Sequence, residues 1–280
     1  MLAHILGDGK SEASSCRLND CFWPKADIEL NLGERSANDP KQTLAWCSSS
    51  MKRIVIIAAL AAIQTCTAAR LMAAEVYSAF PAHIDSGRSY VIYSHGRIVE
   101  GDDPKPIHER WGIYDFPAIV SRLAEGNSFV LVAHHRSKNT DVPSYVERLK
   151  SWVRKLVEAG VDPESITLVV FSRGGQITAL AASQLKPMKI NTALLATCWE
   201  TGVQDQPSIT LSGRLLSIYE TTDSALSCRD LAARSARLSS FEEVDISTGK
   251  EHGAFYTPLS DWVEPLLLWI KKDSGQQSGR

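Results

Sequence analysis

The chain has 280 residues, of which 44% are hydrophobic and 22% charged, with a formal net charge of -2. That is enough chain for one sizeable core and too apolar for a disordered polypeptide. Its 30 Lys and Arg against 32 Asp and Glu leave no cationic excess, which argues against nucleic acid as the main partner.

Residues 1–50 are polar and aperiodic, with scattered Cys16, Cys21 and Cys47, and "CFWPKADIEL" resembles translated non-coding sequence. They are expected to be a spurious or disordered extension. From Met51 the chain reads "MKRIVIIAALAAIQTCTAARLMAAEVYSAF", in which Lys52 and Arg53 precede an apolar run and alanine-rich sites follow. This is the layout of a secretory signal peptide over 51–74, cut after Ala74 or Ala69. Its apolar core is shorter than the roughly 20 residues of a membrane span. Gln64 and Thr65 before Cys66 do not suit a lipoprotein site. The mature domain is then 75–280, periplasmic or secreted, with no stable membrane span after cleavage.

Along that domain, short apolar runs alternate with amphipathic segments. Strands are predicted at 90–94, 129–133, 167–171, 192–196, 215–219 and 241–246, with a further edge strand within 76–86. Several are unbroken Val/Ile/Leu runs, as in strands covered on both faces. Helices are predicted at 115–125, 142–159, 176–185, 225–238 and 260–271. Gly160 and Pro163 bar continuation of the second. Alternating β and α elements imply an α/β fold: a mostly parallel twisted sheet with helices on both faces in three layers.

Ligands of such sheets bind beyond the carboxyl ends of the strands. The residues there are His95-Gly96-Arg97, His134-His135-Arg136, Ser172-Arg173, Glu220 with Asp223, and His252 within "STGKEHGAFY". "ITLVVFSRGGQITAL" runs from a strand through Ser172, Gly174 and Gly175 into a helix, the context of a nucleophile elbow. A plain helix cap explains Ser172 about as well when it is taken alone. Order shifts the balance: Asp223 follows the next-but-one strand and His252 the last, and Ser, Asp, His is the chain order of the α/β-hydrolases. On "SRGG", "SIYETTDSAL" and "GKEHGAFY" the chain resembles that family over its mature length, with no large cap domain.

The resemblance implies Ser172 as nucleophile, His252 as general base and Asp223 as the acid that orients it. Glu220, three residues earlier, is the rival acid. The family has a small residue two positions before the serine, where this chain has Val170, whose branched side chain would crowd the elbow. "YVIYSHG" resembles the oxyanion loop. Gly96 or Arg97 would supply one backbone donor and Arg173 the other.

His134 and His135 point to opposite faces if extended and lack further ligands at metal spacing. No metal and no other cofactor is expected. Arg97, Arg136 and Arg173 end three strands that the resemblance implies are neighbours, and would favour a substrate bearing carboxylate or phosphate, unless Asp102, Asp103 and Glu220 neutralise them. Cys198 and Cys228 follow consecutive strands on the same edge, and an exported protein could bridge them. The expected activity is an exported serine hydrolase acting on an ester, thioester or related acyl bond of a small, possibly anionic substrate, in a shallow pocket bordered by 195–215. An acyltransferase or peptidase relative, or a catalytically silent binding protein on the same fold, is the alternative.

Overall fold

The structure is a computed structural model that describes residues 74–199, 202–203 and 205–274. The N-terminal extension, all of the export signal except Ala74, and Cys16, Cys21, Cys47 and Cys66 lie outside the described residues. In chain order the strands are β1 (Glu75–Tyr77), β2 (Tyr90–Ser94), β3 (Ile107–His108), β4 (Gly112–Ile113), β5 (Val130–Ala133), β6 (Ile166–Phe171), β7 (Asn191–Leu195), β8 (Ser212–Glu220) and β9 (Arg237–Ile246). The helices are α1 (Phe116–Ala124), α2 (Val142–Glu158), α3 (Arg173–Gln184), α4 (Arg229–Arg234) and α5 (Ser260–Ser274).

All six residues of β6, ITLVVF, are buried. Ile166, Leu168 and Val170 enter one hydrophobic cluster, while Val169 and Phe171 enter the other. That is the two-residue period of an extended chain wetted on neither side. β2, β5 and β7 are wholly buried as well. The first cluster is closed by α2, α3 and α4, and the second by α1 and α5. The result is three layers, with helices on both faces of the sheet.

Helix boundaries follow local chemistry. Asp141 accepts a hydrogen bond from the Ser144 N–H at 2.9 Å at the start of α2, and Pro143 occupies its first turn. Tyr145, Val146, Leu149, Trp152, Val153 and Leu156 form its buried stripe. Gly160 ends it at φ 91°, a conformation suited to glycine.

The seven-stranded sheet has the order β1-β5-β2-β6-β7-β8-β9, and every pairing in it is parallel. From β2 the chain goes to β5 on one side and returns to β6 on the other, so the strand order reverses at β2 and β6. Loops leaving those two strands part there and open a crevice, the usual ligand position in such sheets.

Two expectations need correction. The helix expected at 225–238 is only α4. Leu226 bridges to Cys198, while Arg237 and Leu238 pair with Ser212 and Gly213 as the start of β9. The segment between β2 and α1 also carries the unexpected β3–β4 hairpin, in which Ile107 faces Ile113. Among the described residues no helix is long and apolar enough to cross a membrane.

Candidate active site

Ser172 joins β6 to α3 with φ 55° and ψ -125°. Positive φ is unusual for a residue with a side chain and costs about 1–3 kcal/mol. Two glycines make the corner possible. A Cβ on Gly174 would stand 2.3 Å from the Ser94 carbonyl oxygen, and one on Gly175 would stand 2.3 Å from Thr197 Oγ1. Helix α3 therefore enters against the main chain at the end of β2 and against the Thr197 side chain just beyond β7. Val170 is fully buried on the opposite side of the strand from Phe171, and the sharp turn forms beside it.

His252 lies in a 3-10 turn, Glu251–Phe255, just beyond β9. Its Nδ1 is 2.7 Å from Asp223 Oδ2 and its Nε2 is 3.0 Å from Ser172 Oγ. Both His252 and Asp223 are buried. Asp223 Oδ1 accepts from the Ser224 N–H at 2.6 Å, which fixes the carboxylate plane. Glu220 is turned elsewhere: it accepts from the Thr222, Thr248 and Gly249 N–H groups at 2.8, 3.0 and 3.0 Å. Burial raises its pKa, but bonds from Thr222, Gly249 and Thr248 outweigh this and hold it below the usual carboxylate range. It ties the ends of β8 and β9 together and does not reach His252.

Gly96 lies against the elbow, where a Cβ would meet Phe171 Cδ1 at 2.9 Å and Ser172 Cβ at 3.5 Å. Arg97 opens a 3-10 turn, Arg97–Val99, and Arg173 opens α3. The first N–H of a helical turn has no acceptor within that turn. The Arg97 side chain is exposed and lines the pocket. Arg136 does not: it is fully buried, with Nε 3.3 Å from Glu100 Oε1. Arg173 Nε lies 3.7 Å from the same oxygen. The expectation that Arg136 lines the mouth is thus corrected, and the neutralising carboxylate is Glu100. Asp102 and Asp103 are exposed, and Glu220 is engaged as described above.

His134 and His135 point apart. Tyr145 Oη is 3.2 Å from His134 Nδ1, whereas His135 Nε2 is 2.5 Å from the Val99 carbonyl. No group of three His, Cys, Asp or Glu among the described residues could hold a metal. Cys198 and Cys228 form a disulfide with a Cα–Cα distance of 5.4 Å. The Leu226 N–H donates to the Cys198 carbonyl at 3.2 Å beside it, so the loop carrying Asp223 is held to the end of β7.

Ser172 and His252 open into a cavity of about 480 Å³ whose other walls are mainly aromatic: His108, Trp111, Phe171, Trp199 and Tyr256. The Trp111 and Trp199 rings flank His252 at 5.2 and 5.5 Å between centroids. Trp111 is held by Glu251, which accepts from its Nε1 at 3.2 Å, and by stacking on His108 at 4.2 Å. Sequence reasoning passed over these walls. Trp199 stands just beyond β7, so reading past that strand as past the others would have found it. His108 and Trp111 belong to a two-residue-per-strand hairpin with no periodic signal.

No protein-family model and no curated protein matches the chain. Solved structures resemble it in shape. SOBER1 from Arabidopsis thaliana is 14% identical with TM-score 0.44, over 66% of this chain and 98% of that one. An esterase from Rhizomucor miehei is 15% identical with TM-score 0.47, over 66% and 73%. A predicted CIB-like hydrolase from Thermoplasma acidophilum is 15% identical with TM-score 0.44, over 68% and 89%. Identities and TM-scores are low, so what the site can do rests on its own geometry. The fold itself is a parallel sheet covered by helices on both faces, with a serine turn after β6, an aspartate after β8 and a histidine after β9.

Proposed function

We propose that this protein is a serine hydrolase that cleaves an ester, thioester or related acyl bond through an acyl-enzyme. The observation that carries the reading is the imidazole of His252, bonded to a carboxylate at one nitrogen and to the Ser172 hydroxyl at the other. Asp223, acceptor-only when ionised, keeps the proton on Nδ1 and leaves Nε2 as the base.

The steps follow from that tautomer. Ser172 Oγ attacks the acyl carbon while its proton passes to His252 Nε2, and the carbonyl oxygen becomes an oxyanion. The Arg97 and Arg173 N–H groups receive that charge, with the dipole of α3 behind the second. When the bond to the leaving group breaks, Nε2–H protonates the departing oxygen or sulfur. Water then repeats the sequence on the acyl-serine: His252 takes its proton, the adduct collapses, and the proton returns to Ser172 as the acid leaves.

The aromatic cavity supports a small substrate, and the Arg97 side chain, unpaired among the described residues, supports one that carries an anionic group at the mouth. The disulfide supports export, to the periplasm or beyond. A catalytically silent role draws its case from crowding at Val170; the φ of 55° at Ser172 supports an elbow that forms beside that side chain.

Labelling with a fluorophosphonate tests the reading. Wild-type protein should take up one label and hydrolyse 4-nitrophenyl esters, while Ser172→Ala does neither. Wild-type protein left unlabelled would sink it.

A further inference from the structure

Arg136 follows β5, the neighbour of β2, and its guanidinium reaches along the sheet edge to the loop that holds Gly96. Nη2 donates to the His95 carbonyl and, at 3.4 Å, to the Gly96 carbonyl. The cation stands 5.4 Å above the Tyr145 ring centroid.

The Arg136 backbone acts on the same loop. Its N–H donates to His95 Nε2 at 2.8 Å. An amide N–H can only donate, so Nε2 carries no proton and the ring is the Nδ1–H tautomer. That Nδ1–H donates to the Gly96 carbonyl at 2.7 Å. Burial first, and then the Arg136 charge, hold the His95 pKa well below its usual value, which keeps the ring neutral.

Peptide geometry carries these contacts to the pocket. In a trans peptide the C=O and N–H point in opposite directions. With the Gly96 carbonyl drawn toward His95 and Arg136, the Arg97 N–H of the same peptide faces away from them. Gly96 itself packs beside Ser172, and Arg97 lines the cavity.

We propose that Arg136, anchored by Glu100, is a positioning residue that locks the Gly96 carbonyl and so aims the Arg97 N–H at the oxyanion formed on Ser172. Stability is a poor reason for this arginine. Buried ion pairs are often matched or bettered by apolar side chains of similar volume, and Arg136 Nη1 has no acceptor among the described residues. Glu100 Oε1 faces both Arg136 and Arg173, so one carboxylate joins the two loops that supply the donors.

The proposal rests on the serine-hydrolase reading, and its test separates the two. Arg136→Met and the double variant Arg136→Met/Glu100→Gln, which does not leave a Glu100 carboxylate buried without Arg136, are compared with wild type. Turnover of 4-nitrophenyl butyrate is measured per fluorophosphonate-titrated site. Inhibition by an alkylboronic acid, which forms a tetrahedral anionic adduct on serine, is measured alongside. Loss of one oxyanion donor lowers kcat about 10²–10³-fold, so misaiming one should lower it at least about ten-fold. KM should stay within about two-fold, and the boronate Ki should rise in step with the fall in kcat/KM. If the single variant fails to fold, the double variant decides. Unchanged kcat per titrated site with unchanged boronate affinity would overturn the proposal, whatever happens to the melting temperature. Wild-type protein that is neither labelled nor inhibited would overturn the hydrolase reading and this proposal with it.

Discussion

Gly174 lies so close to His95 that a Cβ there would stand 2.6 Å from the His95 carbonyl oxygen, with the Ser94 carbonyl nearer still. Both obstacles are main chain at the end of a buried strand and cannot rotate aside. Gly174→Ala must therefore push α3 away from β2, separating Ser172 from the loop of Gly96. The expected cost is about 1–3 kcal/mol in urea unfolding, with a fall in kcat larger than any change in KM. A variant as stable and as active as wild type would show that the elbow does not need this approach.

Ser172 holds a backbone conformation that glycine adopts more readily. Ser172→Gly should abolish labelling yet raise stability by about 1 kcal/mol, the strain relieved less the entropy that glycine adds. A lower urea midpoint would mean that the Ser172–His252 hydrogen bond outweighs the strain.

The disulfide closes a segment of sequence separation 30. Loop-closure entropy puts the stability lost in Cys198→Ser/Cys228→Ser at about 3–4 kcal/mol. The carboxylate of Asp223 sits in that loop, so kcat should fall as well. Matching urea midpoints for oxidised and reduced protein would contradict this.

His95 is neutral in the native state and held there, whereas in the unfolded chain it titrates near the ordinary 6.5. Its folded pKa is depressed, so below pH 6.5 the unfolded state binds a proton that the native state refuses, and stability falls as pH falls. The slope approaches about 1.4 kcal/mol per pH unit for each such proton. His134, whose pKa is lowered by burial and then by Arg148, adds in the same direction. Urea midpoints should drop between pH 7 and 5.5, and His95→Gln, which keeps an acceptor for the Arg136 N–H, should flatten part of that drop. A midpoint flat over this range would contradict the assignment.

Arg97 offers two separable groups, a main-chain donor and a side-chain cation. Arg97→Ala keeps the first and removes the second. On esters carrying a carboxylate, kcat/KM should fall between about 1.5- and 5-fold, the worth of an exposed charge contact. Neutral esters should be unaffected. An equal fall on both would move the side chain from recognition to structure.

Sequence periodicity by itself determined the layers. A run such as ITLVVF, short, rich in β-branched residues and apolar at all but Thr167, suits a strand covered on both faces, and Gly160 and Pro163 leave α2 nowhere to continue. The chain order of Ser172, Asp223 and His252 was legible for the same reason, since each follows a strand whose end faces one edge. Choosing between Asp223 and Glu220 required the tertiary structure, because both stand within a turn of the end of β8 and only hydrogen bonds across to the β9 loop separate them. The aromatic walls and the interior position of Arg136 also came from packing. A hairpin with two residues in each strand leaves no period to read. An arginine's direction is set by carbonyls and a carboxylate more than 30 positions away, and linear order does not encode that distance.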